Sequence, residues 1–149
     1  MNQKEIIERF YKAFQQLDAE TMVSLYHDDI EFTDPGFGTL RGIDAKNMWR
    51  MLCHKAKDLK IETSNLTEKS VHWEAHYTFS VTGRYIHNII DANFEFKEGK
   101  IIRHVDTFNL HKWASQAFGL KGLLLGGTSF FKKKLQKQAK NILEKFSKS

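Results

Sequence analysis

A single cysteine, Cys53, excludes an internal disulfide and any cysteine-based metal site, and it fits a reducing, cytoplasmic setting. Proline occurs once, at Pro35, and no low-complexity segment or internal repeat interrupts the chain. The start, Met1 to Glu5, lacks the apolar core of a signal peptide. No stretch approaches the ~18 apolar residues of a membrane span, and the longest apolar cluster is Leu123-Leu124-Leu125. A phosphate-cradling glycine loop is also missing. Gly36-Phe37-Gly38 is followed by Thr39-Leu40-Arg41, which is not a dinucleotide-binding pattern.

What is present describes one globular domain. At 149 residues a chain can bury about 68–70% of its unfolded surface, enough for a core without staples. Twelve phenylalanines against four tyrosines and three tryptophans supply much apolar area with few polar handles, which suits a greasy pocket or a dense core equally. The net charge of +5 is concentrated. Residues 132–149 hold seven lysines and one glutamate, and the rest is near neutral, so an evenly basic nucleic-acid surface is not indicated.

Helical spacing opens the chain: Ile6, Ile7, Phe10, Phe14 and Leu17 recur over residues 3–16, with Asn2 and Glu5 resembling a capping box. Asp18 can cap a second short helix through Met22, Leu25 and Tyr26. A strand is expected around 30–34, then a loop marked by Gly36, Gly38 and Gly42, then a helix over 43–55. Period-two strands follow at 58–66, 70–81, 84–97 and 100–110, with Thr82-Gly83 and Glu98-Gly99 as hairpin turns. Helices followed by an antiparallel meander give α+β architecture, a curved sheet with helices on one face, forming a cone. Residues 1–110 form the cone and 111–149 a helical extension packed on it. In the extension Trp113, Phe118 and Leu120 precede a break at Gly126-Gly127, and a last helix spans 129–147. Its lysines read first as the solvated face of a helix lying over the cone mouth. A membrane-surface helix is the lesser alternative.

The most informative segment is His27 to Gly36. Its strand ends at Asp34, and the residue before a proline is held extended, so this carboxylate can look into a cavity or simply close a turn. On the last strand Ile102, His104, Asp106 and Phe108 share a face, which places His104 and Asp106 about 6–7 Å apart at Cα. A carboxylate beside an imidazole fixes its orientation, and desolvation makes a carboxylate a better base near neutrality. The bland alternative for this pair is a satisfied polar contact at the sheet rim. Strand 70–81 sends Trp73, Ala75, Tyr77 and Phe79 one way and His72, His76 and Thr78 the other. Those histidines show no metal-ligand partner in the sequence, so no metal is expected. Asp91, with His87, Asn93 and Glu95, reads as outward-facing.

The chain resembles the nuclear transport factor 2-like superfamily, in its SnoaL-like polyketide cyclase and ketosteroid isomerase branch. The resemblance spans roughly residues 3–110. Ile7 to Phe10, Leu25 to Pro35, Gly42 to Ala45 and Phe94 to Ile102 carry it. It implies a homodimer through the outer sheet face. Asp34 matches the base of the ketosteroid isomerases. The tyrosine that would donate to an oxyanion is replaced by Phe10, and Tyr11 lies about 100° further round the helix. Ala92, not Asp91, takes the place of the second carboxyl. Asp106 is the nearest match to the cavity aspartate of the polyketide cyclases. The expected reading is a pocket for a small apolar carbonyl compound, worked without a cofactor by Asp34, His104 and Asp106. The expected walls are Phe10, Phe14, Trp49, Tyr77, Phe79, Phe94 and Phe108. The rival expectation is a non-catalytic binding or scaffold module.

Overall fold

A computed structural model describes residues 1–149. Helix α1 (Gln3–Gln15) starts where the Asn2 side chain accepts the Glu5 backbone N–H, and the Asn2 amide donates to the Glu5 carboxylate. The two groups satisfy each other across the first turn. Helix α2 (Ala19–Ser24) is capped in the same way by Asp18. Strand β1 (Tyr26–Asp34), a short β2 (Gly38–Arg41) and helix α3 (Ile43–Lys55) follow. The remaining strands are β3 (Lys60–Ser64), β4 (Ser70–Thr78), β5 (Tyr85–Lys97) and β6 (Lys100–Thr107). Glu98 and Gly99, both at positive φ, make the tight turn between β5 and β6, as a two-residue hairpin of this twist requires.

The six strands form one sheet in the order β2-β1-β6-β5-β4-β3. Four differences from the sequence reading matter for the site. Tyr26 does not end the second helix; α2 stops at Ser24 and Tyr26 opens β1 with its side chain buried. Residues 38–41, expected as loop, pair with β1 through Asp34↔Gly38 to Glu31↔Arg41. β1 runs parallel to β6 while every other pairing is antiparallel. A bulge breaks the β5–β6 register, so Phe94 faces His104 but Phe96 faces Ile101. The extra residue is Ile102. It shifts Ile101, not Ile102, onto the buried face beside His104.

The core lies between the concave face of the sheet and helices α1 to α3. A second, smaller cluster joins Ile86 to Trp113, Ala114 and Ala117 of α4 (Leu110–Phe118), the element that ends the last strand three residues earlier than expected. Helix α5 (Leu120–Leu125) sits against α4 because Gly122 has no side chain: a Cβ there would lie 1.9 Å from the Ala114 carbonyl oxygen. Helix α6 (Ser129–Lys148) returns over the β1–β2 turn. It buries Leu143, and Gln136 donates to the Pro35 carbonyl oxygen at 3.1 Å. Its lysines 132, 133, 134 and 137 face solvent.

Candidate functional site

Strand alternation brings a line of polar groups to the bottom of the cone. His104 and Asp106, two residues apart on β6, are 0% and 4% exposed, and His104 Nε2 lies 2.9 Å from Asp106 Oδ1. The other imidazole nitrogen, Nδ1, is 2.7 Å from the Tyr26 hydroxyl. That hydroxyl in turn accepts the Trp49 indole N–H of α3 at 2.8 Å. Since the Tyr26 oxygen already accepts from Trp49, its proton is free to go to His104 Nδ1. Nε2 then carries the imidazole proton and donates it to Asp106. The relay runs one way, Trp49 to Tyr26 to His104 to Asp106, and joins α3, β1 and β6. The Trp73 indole of β4 also donates to Asp106 Oδ1, at 3.4 Å.

Rings seal this relay. Phe10, Phe32, Trp49 and Phe94 surround the His104 imidazole with centroids between 4.4 and 5.9 Å away, Trp49 stacked on it. His104 therefore touches no open space; it holds Asp106 and is held by Tyr26.

Asp34 stands at the end of β1, as the Asp-Pro step requires. Its Oδ1 accepts the Phe37 backbone N–H at 2.6 Å, so it also closes the turn. The turn-closing alternative is the one this contact bears out, and the side chain is half-buried at the strand end. Burial pushes its carboxyl up to about 7, the charge of Asp106 adds to the shift, and hydrogen bonds from the Phe37 and Gly36 backbone oppose it. Asp34 is thus a half-buried carboxyl, shifted toward neutrality, that feels the charge of the buried Asp106.

Tyr11 adds a group that the sequence reading left out of the site. It is one step round α1 from Phe10, yet both are buried, because α1 is enclosed over more than one face. The Tyr11 hydroxyl is buried without a hydrogen-bond partner. Burial, then the charge of Asp106, push it far above its ordinary range, so it stays a protonated donor facing the carboxylate's field. An unpartnered buried O–H costs ~1–3 kcal/mol and asks for an explanation. The helical pattern could not reveal it; only the closure of β4 and β5 over α1 does.

The expected walls divide in two. Phe10, Phe14, Trp49 and Phe94 are buried in the main core against His104 and Trp73. Tyr77, Phe79 and Phe108 are partly exposed and meet α4 and α6 at the second cluster, and Tyr77 and Phe108 also pack on the main core. There the Trp113 indole donates to the Tyr77 hydroxyl at 2.9 Å, and Asp34's charge reaches Tyr77. Of two surface depressions, one of about 250 Å³ lies between α1 and β3–β4 and is lined in part by Tyr11, and one of about 530 Å³ lies between α6 and β2–α3. Neither includes Asp34, His104 or Asp106.

The chain belongs to the SnoaL-like domain family, which it matches over residues 7–104. No curated protein sequence matches it. Among solved structures it is similar to TerC co-crystallized with polyporic acid, at 19% identity and TM-score 0.64, covering 77% of this chain and 97% of that one. An NTF2-like protein of unknown function from Burkholderia pseudomallei matches at 17% identity and TM-score 0.67, covering 79% and 99%. An LEH-like epoxide hydrolase from M. tuberculosis matches at 20% and 0.60, covering 83% and 90%. At these identities the likeness establishes the nuclear transport factor 2-like fold. No helix is long and apolar enough to cross a membrane.

Proposed function

We propose that the chain binds a small apolar carbonyl compound between the α4–α6 lid and the sheet and moves a proton on it without a cofactor. Asp34 is the acid/base. Asp106, fixed by His104 and Trp73, supplies the second carboxylate, and the Tyr11 hydroxyl is the candidate donor to a developing oxyanion. His104, Tyr26 and Trp49 are positioning residues. What supports the reading is the geometry of two carboxylates: Asp34 at the end of β1, held by the Phe37 N–H, and Asp106 buried on β6 against His104, with burial pushing the Asp34 carboxyl up to about 7 and the charge of Asp106 adding to it. Two carboxyls with different surroundings give one group able to exchange its proton near pH 7 and one that is anchored. Removal of a proton alpha to a carbonyl by Asp34 gives an enolate, whose oxygen accepts from Tyr11. The same proton then returns from Asp34 to a different carbon or oxygen, and the atoms balance.

Native mass spectrometry of the purified chain, supplemented with polyporic acid as a first probe, tests occupancy. Hydrogen–deuterium exchange in D2O of a small apolar ketone that carries alpha hydrogens, such as 2-tetralone, followed by NMR, tests chemistry. Wild type is expected to exchange an alpha hydrogen at least ~100-fold faster than Asp34→Asn, with the variant still binding. A second reading, binding without reaction, is favoured by one feature: both nitrogens of His104 are engaged and its ring is sealed. Equal exchange in the two proteins, with binding intact, selects it.

A further inference from the structure

We propose that the convex face of the sheet holds a divalent transition-metal ion of the zinc class, bound by Glu74, His76 and His87. This site is separate from the interior carboxylates, which lie on the opposite face. The sequence offered no partner for these histidines, because the partner is set by strand register. On β4, Glu74 and His76 are two residues apart and share the outer face. On β5, His87 lies directly opposite His76 in the antiparallel ladder. Two strands thus present three ligands, one carboxylate and two imidazoles, with no help from a loop.

The ligand atoms of the three residues all lie within 4.8 Å of one another, and Glu74 Oε1 is 2.6 Å from His87 Nε2. Tetrahedral zinc at nitrogen and oxygen distances of about 2.0–2.1 Å separates its ligand atoms by roughly 3.3 Å. The side chains are part-exposed, so small χ rotations close the remaining gap while the backbone stays put. The His76 and His87 rings stack, with centroids 4.1 Å apart and planes at 18°. An imidazole binds a metal in its own ring plane, so one of the two rings must turn out of the stack for both nitrogens to converge on one ion.

Orienting contacts are also in place. Tyr85 Oη is 2.8 Å from His76 Nδ1, leaving Nε2 for a metal; Glu62 lies 3.2 Å from that Nε2. His72 Nε2 is 3.1 Å from the second Glu74 oxygen, and His72 Nδ1 is 2.9 Å from Asp91. Such outer contacts fix ring orientation and ligand basicity. Three carboxylates, Glu62, Glu74 and Asp91, converge here on three histidines. Metal binding takes His76 and His87 without their second proton, and the carboxylates around them balance the dication. Two imidazoles and one carboxylate suit zinc, cobalt, nickel or copper and disfavour magnesium or calcium, which prefer all-oxygen shells. The fourth position falls to water or to Glu62.

The test uses the full chain after chelator treatment, titrated with Co²⁺ alone and read by visible absorption and calorimetry. One saturable equivalent with d–d bands of low-symmetry cobalt, displaced by Zn²⁺, is expected. The double variant His76→Asn/His87→Asn should weaken binding at least ~30-fold while its far-UV circular dichroism stays that of wild type. Glu74→Gln alone should weaken binding less. Absence of saturable binding up to ~1 mM in wild type, a range in which specific sites of this ligand set are filled, overturns the proposal. So does one-equivalent binding that survives in the folded double variant, since the ion then sits elsewhere.

Discussion

The two faces of one sheet carry the same chemical pair under opposite conditions. Inside, His104 and Asp106 meet at 2.9 Å with 0% and 4% of their side chains exposed. Outside, His72 and Asp91 meet at the same 2.9 Å with 24% and 71% exposed. Equal bond lengths do not mean equal energies. The inner pair has left water, so each partner depends on the other and on Tyr26 and Trp73. The outer pair is screened and can exchange its partner for solvent at small cost.

The largest expected effect is His104→Ala. It strips the hydrogen bond from Tyr26 and leaves the Asp106 carboxylate buried with only the long Trp73 contact, so urea unfolding should show a loss of ~3–5 kcal/mol. If the loss does not exceed that of His72→Ala, the contrast between the faces fails.

The next concerns pH. Asp34's folded pKa, about 7, is above its unfolded value near 3.8, so between those values the native state holds a proton that the unfolded state has lost. Stability should therefore fall as pH rises from about 4 to about 7 and level off above it, by at most about 4 kcal/mol. In Asp34→Asn, which keeps an acceptor for the Phe37 N–H, this slope should flatten and stability at pH 8 should match or exceed wild type. A steep loss of stability in that variant at every pH would make Asp34 a turn residue first.

Trp49→Phe is smaller. It keeps the stacking on His104 but removes the donor to Tyr26, and should cost about 1–2 kcal/mol in the same unfolding experiment. It also leaves the Tyr26 proton free to turn away from His104, so chemistry at Asp106 should suffer more than ligand binding.

The smallest effect belongs to the outer face. His72's pKa is raised, by its hydrogen bond to Asp91 first and to Glu74 second. Its stabilisation is present below the ordinary histidine range and is lost as pH rises through the raised value. His72→Ala should cost no more than ~1 kcal/mol, and added salt should shrink that further. A larger, salt-insensitive loss would mean that this face is covered in solution.

Much was legible without coordinates. Asp34 at a strand end follows from the local Asp-Pro step. The inward set Trp73, Ala75 and Tyr77 and the outward set His72, His76 and Asp91 follow from strand alternation. Less was legible at Tyr26, which sits after a helical pattern and before a strand pattern, so neither period claims it. Ile102 was placed on the wrong face because one bulge reverses every residue beyond it, and no local signal marks a bulge.

Periodicity, turns and caps act over a few residues, and those the sequence by itself determined: an α+β chain, the spans of most elements, and the facing of most strand residues. Long-range closure decided the rest. The parallel β1–β6 pairing set Tyr26 against His104, the enclosure of α1 left the Tyr11 hydroxyl alone, and the β4–β5 register put His87 beside Glu74 and His76. The physical reason is that burial and cross-strand neighbours depend on residues far apart in the chain, and they fix both the cost and the titration of a polar group.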